Sequence, residues 1–184
     1  MKGGRLLIWA ENALLLRDFG HFGQDLSPGT PPAKPDLGHM LTIEQNRVEE
    51  KVIPLFTESA IELRIPCGVL GFEQIKDYKL NAFPDIHPFL WLEAVGGQEL
   101  CFLVVPPQYV VESYSIELSD DDVGFLGLKD GEDAIVLNIA TFHPDGSITV
   151  NLKGPIVYNQ HTFLGRQVVP RNAMTLSIKH PIAN

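Results

Sequence analysis

Between Ser147 and Val169 the chain reads SITVNLKGPIVYNQHTFLGRQVV. Ile148, Val150 and Leu152 alternate with Thr149, Asn151 and Lys153, the period-two pattern of a strand with one buried face. The pattern breaks at Gly154-Pro155 and resumes as the apolar run IVYN. Proline has no N–H to give to a ladder, so Pro155 belongs at an edge or a bulge. Gly154 supplies the backbone freedom for a bend. The stretch therefore reads as one strand that turns a corner at Gly154-Pro155 and continues through residues 156–159, as a sheet must when it curls toward closure. Asn151 has two physical readings here. It is a polar residue on the solvent face, or its side chain is bonded to the backbone of the bend.

Outward from this stretch, period two dominates. Ile61, Leu63 and Ile65 alternate with Glu62 and Arg64. The runs FLWLEA (89–94) and LCFLVV (100–105) flank residues 95–99, VGGQE, a natural hairpin connection. AIVLNIATF (134–142) is apolar on both faces and predicts a central strand, followed by a turn at HPDGS (143–147). Further short strands fit around Val157, around residues 167–169 and around residues 176–178. Short strands separated by regular turn signals predict an all-β, mainly antiparallel fold, a compact β-barrel-like domain. One helix is expected. Ser119 and Asp122 have capping-box spacing, and Asp120, Asp121 and Asp122 would occupy a first turn that favours negative charge. Gly124 and Gly127 limit it to about two turns.

Residues 1–40 differ in character. LLIWAENALLLRDFGHFG (6–23) reads as a short amphipathic helix, and SPGTPPAKPDLGH (27–39) holds four prolines and reads as a linker. Met40 follows directly and is a candidate natural start, which would make residues 1–39 an extension. The globular domain is assigned to residues 41–184.

The 184 residues suit one domain, and an apolar share of 45% suffices for a core. No apolar run is long enough to span a membrane. The net charge of −9 argues against nucleic acid as a direct partner, since phosphate contacts need Lys and Arg. Residues 40–184 alone hold 19 acids against 10 Lys or Arg, so the balance does not depend on the extension. Two cysteines, Cys67 and Cys101, are too few for a disulfide framework and read as free thiols of a cytoplasmic protein. A monomer is the simplest state.

The chain carries no nucleophile elbow, phosphate loop or zincin motif. Its six histidines do not fall at zinc-ligand spacing with a cysteine or another histidine. Neither enzymatic activity nor a cofactor or metal is expected. The charge distribution says more. Between Glu93 and Asp133 lie ten acids and a single base, Lys129. That is a solvated acidic face, or a docking surface for a basic protein.

TVNLKGPIVYN (149–159) followed by GRQVV (165–169) resembles the flagellar assembly factor FliW family, whose members carry T-x-N-L-x-A-P-I-x-x-N and then Gly and Gln-Val. IPCGVLGFE (65–73), PFLWLEAVGGQELCFLVVPP (88–107) and SYSIELSDDDVGFLGL (113–128) are similar to three further family stretches. The likeness runs in register over roughly residues 50–182. Ile65, Leu70 and Gly154 depart from the residues most usual in the family. The resemblance implies a small antiparallel barrel-like fold without enzymatic activity. It also implies two partners: the RNA-binding translational regulator CsrA, which members antagonise, and flagellin, which releases the regulator.

On this reading Glu93, Asp120, Asp121 and Asp122 are the electrostatic candidates for partner binding. Asn151, Lys153 and Tyr158 are exposed-face candidates beside the bend. Phe72 and Trp91 are core residues or interface anchors. Gly68, Gly71 and Pro155 shape the backbone, and Gln167 belongs to the motif. Two other readings stay open: a barrel that binds a small ligand or flavin, and a structural domain that has lost the regulator as a partner.

Overall fold

The computed structural model describes residues 9–10, 13–14 and 60–182. In place of the expected N-terminal helix, Trp9–Ala10 (β1) and Ala13–Leu14 (β2) form a small antiparallel pair with Trp9 opposite Leu14. The expectations for the Pro-rich linker and for Met40 lie outside the described residues.

The nine-stranded sheet comprises Ile61–Arg64 (β3), Asp77–Ala82 (β4), Leu90–Ala94 (β5), Cys101–Val105 (β6) and Ala134–Phe142 (β7), then Ile148–Val150 (β8), Ile156–Asn159 (β9), Gly165–Gln167 (β10) and His180–Pro181 (β11). Its order is β10-β9-β7-β6-β5-β4-β3, with β8 on β7 and β11 on β8. Every ladder is antiparallel. The sheet does not close into a barrel. Its two ends meet through a parallel bridge between Arg64 and Leu164, where the Arg64 N–H donates to Phe163 O at 3.0 Å.

β7 is central, as its two apolar faces require. One edge pairs with β6, and the other pairs first with β8 and then with β9. Ala140 faces Val150 and Leu137 faces Ile156, so β7 advances three residues while the opposite chain advances six. The ITVNL strand thus does continue as IVYN along one neighbour, with a three-residue bulge at the Gly-Pro corner.

β4 was not among the expected strands, although Tyr78 and Leu80 are buried and alternate with outward Asp77 and Lys79. The strand expected at 176–178 is absent. A 3-10 turn at Ala173–Thr175 lies just before those residues, closed by Leu176 N–H on Ala173 O, and the pairing moves on to β11.

The core lies on both faces of the sheet. One face packs Tyr78, Leu80, Leu92, Phe102, Ile139 and Tyr158 together. The other packs Trp91, Leu103, Val150 and Leu152 beneath Tyr109, Tyr114 and Ile182. Each such side chain removed from water contributes on the order of 1.5–3 kcal/mol. The helix Asp120–Leu126 (α1) seats Leu126 on Val157 and Val168. Ser119 Oγ accepts the Asp122 N–H at 3.1 Å, and Gly127 at φ 64 ends the helix after the two turns expected.

Candidate functional site

Three neighbouring features make up the candidate surface: the bulge, the helix α1 with its arginines, and the turn that precedes β4.

The bulge is a hydrogen-bonded scaffold. Asn151 Oδ1 accepts the N–H groups of Lys153 at 3.0 Å and Gly154 at 3.2 Å. The Asn151 carbonyl accepts Asn138 Nδ2 at 2.8 Å, and the Leu152 carbonyl accepts the Tyr114 hydroxyl at 2.7 Å. Gly154 O accepts Gln167 Nε2 at 3.0 Å, and Pro155 O accepts the Val168 N–H at 2.9 Å. A chain that leaves its ladder must find such partners, because buried unpaired backbone groups are costly. The Asn, Gly and Pro inside the strand each have a place in this scaffold. Asn151 bonds to the backbone of the bend, Gly154 lets the chain pass close to Asn151 and Gln167, and Pro155 sits where no N–H is needed.

Two candidates are corrected by this arrangement. Asn151 and Tyr158 were expected on an exposed face, and both are buried. Asn151 turns inward to hold the bulge. Tyr158 joins Tyr78 and Phe102 on the face opposite Val150, because the bulge shifts register by an odd number of residues and an odd shift exchanges the two faces of a strand, both of which are packed here. Burial pushes the Tyr158 hydroxyl well above its ordinary value. Lys153, at the tip of the bulge, is half-buried. Phe72 and Trp91 are also buried, Phe72 with its ring edge-on to Phe102 at 5.4 Å. Both are core residues and present no anchor to a partner.

The acidic run has cations beside it. Asp121 Oδ2 accepts Arg166 Nη1 at 2.8 Å, and Asp122 Oδ1 lies 3.1 Å from the same nitrogen. The guanidinium stands over the Phe125 ring at 5.0 Å from its centroid. Asp120 Oδ2 accepts Arg171 Nη2 at 3.2 Å. The hydrogen bond to Asp121, then the fields of Asp122 and Cys67, hold Arg166 above its ordinary value. Asp122 is mostly buried and also accepts from Ser119 Oγ at 2.6 Å. It works as a tether of α1, while Asp120 and Asp121 face water. Glu93 stands apart from them on β5, opposite Lys79 and Cys101 in the ladders.

The turn before β4 contains Gly68 and Gly71, at φ 73 and φ 84. A Cβ on Gly68 would lie 2.5 Å from Glu73 Cα, so this backbone approach demands glycine. Between the two glycines the chain exposes Leu70, with 66% of its surface in water. The Leu70 N–H donates to Gln167 Oε1 at 2.9 Å. Gln167 thereby joins the turn to the bulge with its two amide ends. Leu70, Arg166 and Phe125 escaped the sequence reading. Their neighbours are close in space and far along the chain, and no local pattern reports that.

Among the described residues no cluster of His, Cys, Asp or Glu is arranged to hold a metal ion, and no helix is long and apolar enough to cross a membrane.

A family model described as FliW protein matches residues 44–182. The flagellar assembly factor FliW of Natranaerobius thermophilus is 35% identical over 124 residues, covering 66% of this chain and 82% of that protein. The one from Geobacter sulfurreducens is 34% identical over 131 residues, covering 68% of this chain and 81% of that protein. A crystal structure of the flagellar assembly factor FliW has a TM-score of 0.61 and 30% identity, covering 67% of this chain and 86% of that one. The nine-stranded sheet, the bulge and the turn before β4 all fall inside the matched residues, and the chain belongs to the FliW family of flagellar assembly factors.

Proposed function

We propose that this chain is a non-enzymatic flagellar assembly factor with two protein partners. It binds the translational regulator CsrA and relieves repression of flagellin synthesis. It also binds flagellin, which releases the regulator, so that synthesis follows demand. Both exchanges would take place in the cytoplasm. The observation that carries the reading is the family match over residues 44–182. The net charge of −9 supports it, since an RNA-binding partner must carry Lys and Arg to hold phosphate and is drawn to an acidic protein.

Isothermal titration calorimetry of the full chain against the CsrA and the flagellin of the same organism, at two salt concentrations, tests the proposal. Saturable binding of both, with the CsrA affinity falling as salt rises, is the expected result. Absence of heat with CsrA up to the order of tens of micromolar removes the antagonist role. Absence of heat with flagellin removes the chaperone-like one.

A further inference from the structure

The exposed face of α1 has no side chain at its centre. Successive residues of a helix are turned by about 100°. Asp122 and Leu126 are the buried residues of α1, and Gly124 lies on the side opposite them. In projection along the axis Gly124 falls between Asp120 and Asp121. It stands four residues from one and three from the other, so all three share the face turned to water. Nothing inside the chain requires a glycine at this position. Its φ is not left-handed, unlike that of Gly127 at the end of the helix. A Cβ added to it would meet no atom within 4 Å. Glycine weakens a helix interior relative to alanine, and α1 has only seven residues. The short helix thus carries a weakening residue whose bare backbone admits a neighbour closer than any side chain would.

The charges on this face have a direction. In the pair of Arg166 with Asp121 the guanidinium is 26% exposed and the carboxylate 83%. In the pair of Arg171 with Asp120 the figures are 56% and 98%. Each pair turns its carboxylate outward. A carboxylate has lone pairs left after one bond, and can accept from a second cation. Glu117, whose carbonyl accepts the Arg171 N–H at 2.8 Å, adds a further exposed acid beside the helix.

We propose that the outer face of α1 is the docking site for a basic partner segment, with an Arg or Lys stem laid over Gly124 and its cationic head between Asp120 and Asp121. Resting on the function proposed above, this assigns the face to the RNA-binding partner and not to flagellin. Long cationic side chains bury an apolar stem while the head stays polar, and the notch at Gly124 takes such a stem. The outward carboxylates supply orientation and reject an acidic competitor.

The test uses the full chain as wild type and as Gly124→Ala, Gly124→Gln and Asp120→Asn. Each is titrated against CsrA and against flagellin, and its melting temperature is read by circular dichroism. Alanine and glutamine both favour helix over glycine, and the glutamine side chain fills the notch. Both Gly124 variants should therefore melt at or above the wild-type temperature. Gly124→Gln should lose about tenfold or more in CsrA affinity, at low and high salt alike, with flagellin affinity unchanged. Gly124→Ala should lose less. Asp120→Asn should weaken CsrA binding mainly at low salt. Wild-type binding of CsrA with unchanged affinity in Gly124→Gln overturns the site and leaves the proposed function standing. A melting temperature lowered in both Gly124 variants overturns it too, since the glycine then serves the fold. Loss of flagellin affinity, alone or alongside that of CsrA, overturns the assignment to the RNA-binding partner. A wild type that binds neither partner sinks the function, and the site with it.

Discussion

Gly68 and Gly71 share a left-handed backbone and differ in their surroundings. Gly68 would bring a Cβ onto Glu73 Cα, whereas a Cβ on Gly71 would meet open space. Gly68→Ala is therefore expected to cost about 3 kcal/mol or more, from backbone strain and a clash together, and Gly71→Ala only about 1 kcal/mol. Urea denaturation of the two variants checks the difference, and equal costs would contradict the described turn. The same contrast marks what single residues reveal. That Gly154 and Pro155 make a corner was legible, because their constraints are intrinsic. The roles of Asn151 and Tyr158 were not. Whether an Asn faces water or bonds its own bend depends on where the ladder resumes, and one residue of slip reverses every side chain beyond it.

At the scale of elements, α1 and the turn after it depend on capping. Ser119→Ala removes the acceptor for the Asp122 N–H and should lower stability by about 1 kcal/mol, with the urea m-value unchanged. Asp130 and Asp133 form a reciprocal capping box around the 3-10 turn Gly131–Asp133. The N–H of Lys129 above all, then those of Asp130 and the His161 side chain, hold the Asp133 carboxyl below its ordinary value of 3.8. A carboxyl lowered in the folded state stabilises above its unfolded value, and the stabilisation is lost as pH falls through the folded one. Asp133→Asn should therefore lose stability less steeply than wild type below about pH 4, which acid titration of the melting temperature measures.

The α1 helix was legible from Ser119 and the three aspartates, and β7 from its unbroken apolar run. β4 was not, because Asp77, Lys79 and Asn81 oppose strand propensity while Tyr78 and Leu80 supply only two apolar beats. The strand expected at 176–178 failed for the opposite reason. Its apolar residues are real, but a tight turn at Ala173–Thr175 occupies the chain just before them.

Across the whole molecule, two tyrosines in one core couple folding to alkaline pH. Burial raises Tyr78 from 10.0 to about 12, and raises Tyr158 as well. A neutral acid raised in the folded state leaves stability intact below its unfolded value. Stability then falls as pH climbs from about 10 toward the folded value, because the unfolded chain ionises first. Tyrosinate absorbance should therefore rise together with loss of near-ultraviolet circular dichroism. Tyr78→Phe should move that transition to higher pH, and two separate transitions in the wild type would contradict the burial. At this scale the fold class and the overall acidity were legible, since composition and periodicity sum over many residues. The candidate surface was not. Arg166 reaches Asp121 across 45 positions and Gln167 reaches Leu70 across 97, so only the folded chain brings them together.

The bulge between β8 and β9 also has a consequence in time. The hairpin of β7 and β8 can zip outward from its turn, where His143 N–H meets Ser147 O, by local contacts alone. Zipping must halt at Asn151, because the next ladder pair lies beyond a corner whose bonds come partly from Asn138, Tyr114 and Gln167. β9 can lock only after those distant segments arrive. Asn151→Ala should accordingly speed unfolding far more than it slows folding, and stopped-flow chevrons of the variant should shift almost wholly in the unfolding arm.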